Sequence, residues 1–376
     1  MLPPDAVAEN GIPEQLLQKL SETSLACSSL SSVSDNRTGN YVYRGHLIRP
    51  IANPDQRWAS SIIIKHSTDS IPKVFEELLL NLLASSPTST STVKTPRLYL
   101  YDRETNTQVL EDFADTNGLR AMLFSPDAHK LFPSSSLFTI GRHMGLWLRS
   151  FHDWADAPEQ ASLRAEMWCT DALRKQKYEF THGSISGILE QFPSLTEDYE
   201  KTLDVIRGFY ATDFKRPFTE EGDGYGLIHG DLWSGNVLLP SSGWREPSVI
   251  DQTNNIFIID WEFAQFGHRS CDIGQLLGDL YERKLYRNLD IAMSVMKGVI
   301  VGYGAMSDEM AFRTSIYLGS HLISWYHRRP QKGPNVSSPE VTLAGLKLGR
   351  DFMVKGQERD RAFFDDSVLA SLFASH

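Results

Sequence analysis

The spacing of apolar residues predicts a series of helices and strands over the first part of the chain, up to about Phe113. Leucines recur at roughly helical spacing between residues 11 and 25, and KVFEELLLNLLAS repeats its apolar residues with a helical period. Four runs are instead rich in β-branched and aromatic residues and predict strands: NYVYRGHLI, SSIIIKH, RLYLYD and TQVLEDF. Residues 28–40 contain many Ser, Asp, Asn and Gly, and we expect them to form a polar loop.

The pattern changes near Asp115, after which helical spacing dominates. The clearest helices are LFTIGRHMGLWLRSFHDW and the stretch at residues 199–210. One strand-rich region interrupts them: YGLIHGDLWSGNVLLP is followed by a polar loop through Asn255 and then by NIFIIDWEFAQFG. Because functional loops often join short strands, the Gly, Asn and Asp residues of this region are candidates for a site. The change in pattern predicts a boundary between residues 114 and 115.

Composition and charge restrict the class of protein. A chain of 376 residues is long enough for about two domains, and its 41% hydrophobic and 22% charged content is typical of a folded protein. The net charge of -10 disfavours nucleic acid and anionic membranes as partners. Cys27, Cys169 and Cys271 lack paired spacing, which argues against a disulfide framework or a zinc site. Without a signal-peptide pattern or a long apolar run, we expect a cytoplasmic location and no membrane contact.

The densest group of chemically active residue types lies in the strand-rich region. His229-Gly-Asp231-Leu-Trp-Ser-Gly-Asn236 is followed, at the end of the next apolar strand, by Asp260 and Glu262. Oxygen ligands of this kind suit Mg²⁺, and a carboxylate can orient a hydroxyl group. Phosphoryl transfer needs little more than an acceptor oxygen held in line, a metal ion on the phosphate oxygens and a cation on the donor phosphates. The pattern therefore favours phosphoryl transfer.

The cation for the donor phosphates is predicted to be Lys65, which ends an early strand. Glu76, on the helix that follows, is expected to hold Lys65 by an ion pair, and its neighbour Glu77 is the competing choice. Glu76 is favoured because Leu80 and Leu83 follow it at helical spacing.

The motif H-G-D-x-x-x-x-N followed by I-D-x-E resembles the aminoglycoside phosphotransferase and choline kinase superfamily, and the resemblance covers roughly residues 30–325. The chain is also similar to fungal small-metabolite kinases and, around 261–274, to methylthioribose kinases. The resemblance implies an α+β, two-lobed protein-kinase-like fold. A small β-rich N-lobe, residues 1–114, would bind the nucleotide, and a larger, mostly helical C-lobe, residues 115–376, would carry the metal and acceptor site. It implies transfer of the ATP γ-phosphoryl group to a hydroxyl of a small molecule, with Mg²⁺.

The resemblance also assigns roles to individual residues. Asp231 would be the catalytic aspartate, and Asn236 and Asp260 the metal ligands. The loop over the nucleotide, residues 32–41, contains one glycine where many relatives have two or three. Residues assigned to nucleotide binding, besides Lys65 and Glu76, are Ser34, Thr38, Gly39, Glu111 and Phe113.

Several assignments stay open. Glu262 contacts either a second metal ion or the substrate, and Trp233 and Trp325 are either pocket or core residues. His229 and Asp272 are expected mainly to brace the loop. Three features together lead us to expect a small acceptor that is neutral or cationic: the net charge of -10, the grouped carboxylates of Asp231, Asp260 and Glu262, and the aromatic faces that Trp233 and Trp325 could offer a cation. The alternatives are a methylthioribose-type sugar kinase and a catalytically silent kinase-like binding protein. The oligomeric state stays open as well.

Overall fold

The helices and strands are defined over most of the chain. The computed structural model describes residues 11–33, 40–52, 58–68, 74–84, 86, 92–133, 135–168, 171–196, 199–216, 224–244, 254–333 and 336–373. The strands are β1 (Cys27–Ser32), β2 (Asn40–Ala52), β3 (Trp58–Ser67), β4 (Val93–Lys94), β5 (Leu98–Asp102), β6 (Thr107–Glu111), β7 (Thr116–Gly118), β8 (Tyr225–Ile228), β9 (Val237–Pro240), β10 (Ile256–Ile258) and β11 (Gln265–His268).

Helices account for most of the second half of the chain. The α-helices are α1 (Ile12–Leu20), α2 (Val74–Leu83), α3 (Leu119–Phe124), α4 (Ala128–Leu131), α5 (Ser136–Asp156), α6 (Ala161–Trp168), α7 (Asp171–Tyr178), α8 (Ser184–Leu189), α9 (Glu200–Lys215), α10 (Ser270–Arg287), α11 (Ile291–Tyr303), α12 (Asp308–Arg328), α13 (Pro339–Glu358) and α14 (Arg361–Asp365). Short 3₁₀ turns lie at Pro158–Gln160, Pro193–Leu195, Ser234–Asn236, Trp261–Phe263 and Ala370–Leu372, and a π-helical turn at Glu179–Gly183.

These elements form two compact units. The first takes in the described residues of 1–85 and 95–115, and the second those of 86–94 and 116–376. The division differs from the expected one because residues 86–94 belong to the second unit, where β4 pairs in parallel with β10. The α+β class is confirmed, with a β-rich first unit and a mostly helical second unit.

A five-stranded antiparallel sheet, in the order β1-β2-β3-β6-β5, forms the first unit. Ile62 and Ile64 of β3 are fully buried on one face, together with Leu16 and Leu20 of α1 and Val109 of β6. Because side chains alternate along a strand, Lys65 lies on the face opposite Ile64. The alternation of side chains along β3 therefore places Lys65 on the face that does not pack into this core.

The prediction of a polar loop over residues 28–40 is wrong at its start, because Cys27–Ser32 forms β1. Among the described strands it lies at the edge of the sheet and pairs only with β2. Cys27 is buried, whereas all four serines of this strand are exposed. An edge strand tolerates polar residues on its outer side, so the serine-rich composition concealed it.

In the second unit, the loops of the strand-rich region follow short, buried strands. One sheet has the order β4-β10-β9-β7, and β8 pairs antiparallel with β11. Every residue of β8 and β10 is buried. The loop after β8 and the loop after β10 are thus anchored in the core by buried strands of two different sheets.

Helix α5 packs against the segment that follows β10. Trp261, which directly follows β10 and Asp260, is fully buried and packs edge-on against Trp147 and Phe151 of α5, with ring centroids 6.0 and 5.3 Å away. Helices α5 and α11 approach so closely that a Cβ on Gly141 would lie 2.0 Å from the carbonyl oxygen of Val295. No helix among the described residues is both long and apolar enough to cross a membrane.

Candidate active site

The Asp231 loop turns sharply after β8. Gly230 has a φ of +79°, and a Cβ there would lie 2.0 Å from the carbonyl oxygen of Phe263, so only glycine fits. Asn236 closes the loop: its Nδ2 donates hydrogen bonds to the backbone oxygen of Asp231, at 2.9 Å, and to Asp231 Oδ2, at 3.2 Å. The spacing of Asp231 and Asn236 in the sequence therefore corresponds to one hydrogen-bonded turn.

His229 joins this loop to the segment that carries Asp260. Its Nδ1 accepts a hydrogen bond from the backbone N–H of Asp231, at 3.2 Å, so the proton is on Nε2, which donates to the backbone oxygen of Ile259, at 3.1 Å. The backbone N–H of Ile259 in turn donates to the backbone oxygen of Asn236, at 3.0 Å. Burial lowers the pKa of His229 and keeps the ring neutral. His229 is thus a bracing residue between two loops.

Asp272, at the start of α10, fixes the same loop from the other side. It is fully buried, and it accepts hydrogen bonds from the backbone N–H groups of His229, at 2.8 Å, and Gly230, at 2.9 Å. His152 Nε2 contacts it at 3.2 Å, and His152 Nδ1 lies 3.0 Å from the hydroxyl of Tyr303. Burial favours the neutral acid, but the hydrogen bond from His152 and the other donors outweigh it and lower the pKa of Asp272.

Asp260 follows β10 in a left-handed backbone conformation, with φ 69° and ψ 62°. This conformation is uncommon for residues other than glycine, and functional sites are where such strain is found. The buried Trp261 holds it in place, since its Nε1 donates to the backbone oxygen of Ile258 at 3.2 Å. Asp260 and Glu262 are both half-buried on this turn.

Two residues from other elements contact the Asp231 carboxylate. Lys177 of α7 lies 3.2 Å from Oδ1, and Gln275 of α10 donates to the same oxygen at 2.7 Å. Burial alone would raise the pKa of Asp231, but the charge of Lys177 and the bond from Gln275 lower it, so the carboxylate stays ionised. Lys177 was missed by the sequence analysis, because it belongs to no motif and lies 54 positions away.

The side chains around Asp231 fit a divalent cation. Asn236 uses its Nδ2 on the loop, which fixes the orientation of the amide, and no donor in the described part of the chain contacts its Oδ1. The remaining candidates, the carboxylates of Asp260 and Glu262, are also oxygen donors. A set composed only of carboxylate and amide oxygens matches the preference of Mg²⁺.

A cavity of about 390 Å³ opens beside Asp231, within the second unit. Trp233 and Trp325 both line it, so the structure brings these two predicted residues to the wall of a cavity that Asp231 also lines. Trp325 is stacked on Tyr286, with centroids 3.5 Å apart, and the guanidinium of Arg120 lies 5.4 Å from the Trp233 ring. The other lining residues are Phe124, Lys177, Thr181, His182, Cys271, Gln275, Glu282, Arg283, Arg287, Tyr317, Ser320, His321, Ser324, Arg328 and Pro330.

In the first unit, Lys65 and Glu76 form an ion pair. Lys65 Nζ lies 3.4 Å from Glu76 Oε1, and the Glu76 side chain is 2% exposed. Glu77 points elsewhere and pairs with Arg103 at 2.8 Å. The local reason is the helical period of α2, which turns adjacent glutamates to different sides.

Of the other residues predicted to bind nucleotide, the structure describes Glu111 and Phe113. Glu111 Oε2 accepts a hydrogen bond from the backbone N–H of Arg97, at 3.3 Å, and Phe113 is half-buried. Ser34, Thr38 and Gly39 lie outside the described residues. Their assignment stays a prediction.

Comparisons with known proteins identify relatives along the whole chain. The model of the phosphotransferase enzyme family matches residues 75–311. Phosphotransferase FrzJ from Cladobotryum sp is 29% identical over 384 residues, which cover 95% of this chain and 95% of that protein. The 4-hydroxytryptamine kinase of Psilocybe cubensis is 28% identical over 101 residues, 26% of this chain and 27% of that kinase. Among solved structures, amicoumacin kinase hAmiN in complex with AMP-PNP, Ca²⁺ and Ami aligns over 94% of this chain and 96% of its own, with 13% identity and a TM-score of 0.49.

Proposed function

The chain belongs to the phosphotransferase enzyme family, and from that premise we propose that it transfers the γ-phosphoryl group of ATP to a hydroxyl group of a small molecule. Family membership and the kinases among the relatives confirm the prediction of a small-molecule kinase. Beyond this, we propose the phosphoryl donor, the acceptor group and the roles of individual residues.

One observation carries the proposal: the ionised Asp231 carboxylate faces a cavity and is held in a fixed orientation. Lys177 and Gln275 hold Oδ1, and Asn236 holds Oδ2. The Asp231 side chain is still 26% exposed, so an acceptor hydroxyl can reach it. A carboxylate that is fixed, charged and accessible is suited to orient a hydroxyl group and to take its proton.

The proposed reaction is an in-line displacement. The acceptor oxygen forms a bond to the γ-phosphorus while the bond from phosphorus to the bridging oxygen of ADP breaks, and the hydroxyl proton passes to the Asp231 carboxylate. Asp231 positions the acceptor, and Lys177 keeps Asp231 ionised before the reaction. Most of the rate enhancement would come from this positioning and from charge stabilisation.

Asn236 and Asp260 are the proposed ligands of Mg²⁺. A bound divalent cation would neutralise negative charge on the phosphate oxygens. The residues hold their places by contacts within the protein: His229 joins the two segments, and Asp260 is fixed by the strained turn before Trp261. Whether Glu262 contacts metal or acceptor is left open by its half-buried position.

Lys65 is the proposed cation for the donor phosphates, held by Glu76. Since Glu76 is almost fully buried, its charge is compensated chiefly by Lys65, and the ammonium group is constrained. Glu111, Phe113 and the loop with Ser34, Thr38 and Gly39 complete the proposed nucleotide site. The intact set of Lys65, Asp231 and Asp260 supports an active enzyme over a catalytically silent binding protein.

Calorimetry followed by a turnover screen tests the proposal. We expect ATP with Mg²⁺ to bind more tightly than ATP with a chelator, and we expect ATP consumption to rise with at least one acceptor among amines, sugars, aminoglycosides and hydroxyindoles. A sugar as the preferred acceptor would favour the methylthioribose-type alternative. Equal binding of ATP with and without Mg²⁺ would contradict the roles of Asn236 and Asp260, and no turnover would favour the silent binding protein.

A further inference from the structure

The charges that line the cavity beside Asp231 are predominantly positive. Two carboxylates line it, Asp231 and Glu282. The cationic side chains that line it are Arg120, Lys177, Arg283, Arg287 and Arg328. The side chains that line the cavity therefore have a net positive charge, whereas the whole chain has a net charge of -10.

Both carboxylates are already compensated by protein groups. Glu282 lies 2.8 Å from Arg283, 3.1 Å from His321 and 3.2 Å from Arg328. Burial opposes ionisation of Glu282, but the hydrogen bond from His321 and the charges of Arg328 and Arg283 lower its pKa to about 2. Asp231 is paired with Lys177. Neither carboxylate is therefore available to compensate a cationic ligand without losing an existing partner.

Arg120 differs from the other arginines of the wall. Among the described residues it forms no ion pair, although its guanidinium lies close to the Trp233 ring. Burial lowers the pKa of Arg120, and the charges of Arg283 and Arg328 lower it further, against the opposing effect of Asp279 and Glu282. An anion placed there would be attracted chiefly by Arg120, because Arg283 and Arg328 are already paired with Glu282.

Aromatic side chains form another part of the wall. Tyr286 and Trp325 are stacked nearly parallel, the Trp233 ring lies 5.4 Å from the Arg120 guanidinium, and the Phe124 ring lies 5.3 Å from that of Arg283. A cavity of about 390 Å³ is within the range of sites for small organic ligands. Flat apolar surface and guanidinium groups together favour a ligand that has a ring and a negative charge.

We propose that the acceptor is a small ring compound that carries a carboxylate besides its hydroxyl group, with the carboxylate bound by Arg120 and its neighbours. The inference rests on the proposed function, because it assumes that this cavity receives the acceptor. It replaces the expectation of a neutral or cationic acceptor, which was drawn from the net charge of -10, from the grouped carboxylates of Asp231, Asp260 and Glu262, and from the aromatic faces of Trp233 and Trp325.

Three probes with the same ring and hydroxyl test the charge preference: 5-hydroxyindole-3-acetate, 5-hydroxytryptophol and 5-hydroxytryptamine. Titration calorimetry on the full chain, at low and high salt, gives their dissociation constants. We expect the acetate to bind about tenfold more tightly than the amine, with the neutral alcohol between them, and the difference to shrink at high salt. Binding of the amine as tightly as the acetate would overturn the proposal, as would failure of the acetate to bind at millimolar concentration.

Arginine variants test whether Arg120 causes the preference for the acetate over the amine. Arg120→Gln is expected to remove most of the tenfold difference, whereas Arg207→Gln, on the exposed side of α9, should keep it. Arg283 is unsuitable as the first variant, because it is buried between Asp279 and Glu282 and its loss would leave both carboxylates less compensated. An Arg120→Gln protein that keeps the full preference for the acetate would overturn the assignment.

Binding of ATP with Mg²⁺, measured on the same samples, separates this inference from the proposed function. Samples that bind the nucleotide with Mg²⁺ but prefer the amine would overturn the carboxylate proposal and leave the phosphotransferase proposal intact. Samples that prefer the acetate but show no Mg²⁺-dependent nucleotide binding would support the cavity assignment and contradict the proposed function.

Discussion

The Asp231 loop in the second unit and the Lys65 strand in the first are held in different ways. Asp231 lies in an irregular loop whose shape depends on the buried carboxylate of Asp272 and on His229. Lys65 lies on a regular strand and forms an ion pair with Glu76. A loop lacks the repeating hydrogen bonds of a sheet, so distant side chains must supply them. Changes at distant residues such as Asp272 should therefore disturb the Asp231 loop, whereas the position of Lys65 should respond to the loss of its partner Glu76.

The largest effect is expected from Asp231→Asn, which removes the carboxylate and keeps its shape. Turnover should fall by roughly 10²- to 10⁴-fold, because the acceptor hydroxyl loses its base, while ATP binding and the free energy of unfolding change little. Single-turnover rates, calorimetry and urea unfolding check this. Asp290→Asn, at a side chain that is 78% exposed, is the control. An Asp231→Asn enzyme with most of its turnover would remove Asp231 from the mechanism.

Asp272→Ala tests whether the loop depends on its remote brace. The change leaves the buried N–H groups of His229 and Gly230 without an acceptor, and the free energy of unfolding should fall by about 3 kcal/mol. Asp272→Asn retains one acceptor oxygen and should lose less. Urea unfolding of both variants measures the difference. Wild-type stability in Asp272→Ala would mean that the loop keeps its shape without the carboxylate.

Variants around Lys65 test the simpler arrangement in the first unit. Lys65→Ala should lower kcat/KM for ATP by about 10- to 100-fold, and Glu76→Ala by about tenfold, because Glu76 acts through the lysine. Glu77→Ala is the matched control, since Glu77 pairs with the exposed Arg103 and should behave like the wild type. If Glu77→Ala were more harmful than Glu76→Ala, the wrong side of α2 would have been assigned.

The smallest effect is a shift in pH dependence. Lys177 lowers the pKa of Asp231, so Lys177→Gln should raise that pKa, and the loss of activity on acidification should begin at a pH about one unit higher. Lys177→Arg retains the positive charge and should restore the wild-type profile. Profiles of kcat/KM against pH for the three proteins check this, and an unchanged acidic limb in Lys177→Gln would exclude the ion pair from catalysis.

Local patterns determined much of the fold. The alternation in SSIIIKH predicts β3 with its lysine, and the helical period of KVFEELLLNLLAS predicts α2 (Val74–Leu83) with Glu76 facing that lysine. Asp231 and Asn236 could be recognised together, because their spacing closes one turn. Each of these features depends on residues close in sequence, where periodicity and turn geometry suffice.

The tertiary structure decided the surroundings of the site. Lys177, Gln275 and Asp272 reach the Asp231 loop from helices that no local motif connects with it. The charge of the cavity beside Asp231 is the clearest case, because Arg120, Arg283 and Arg328 come from three separate helices or their ends. A net charge sums over the whole surface, whereas the field at a site falls off with distance and depends on which few side chains the fold brings together. The sequence therefore predicted that Asp231 and Asn236 share one turn, but the sign of the charge on the cavity wall beside them depended on the packing of distant helices.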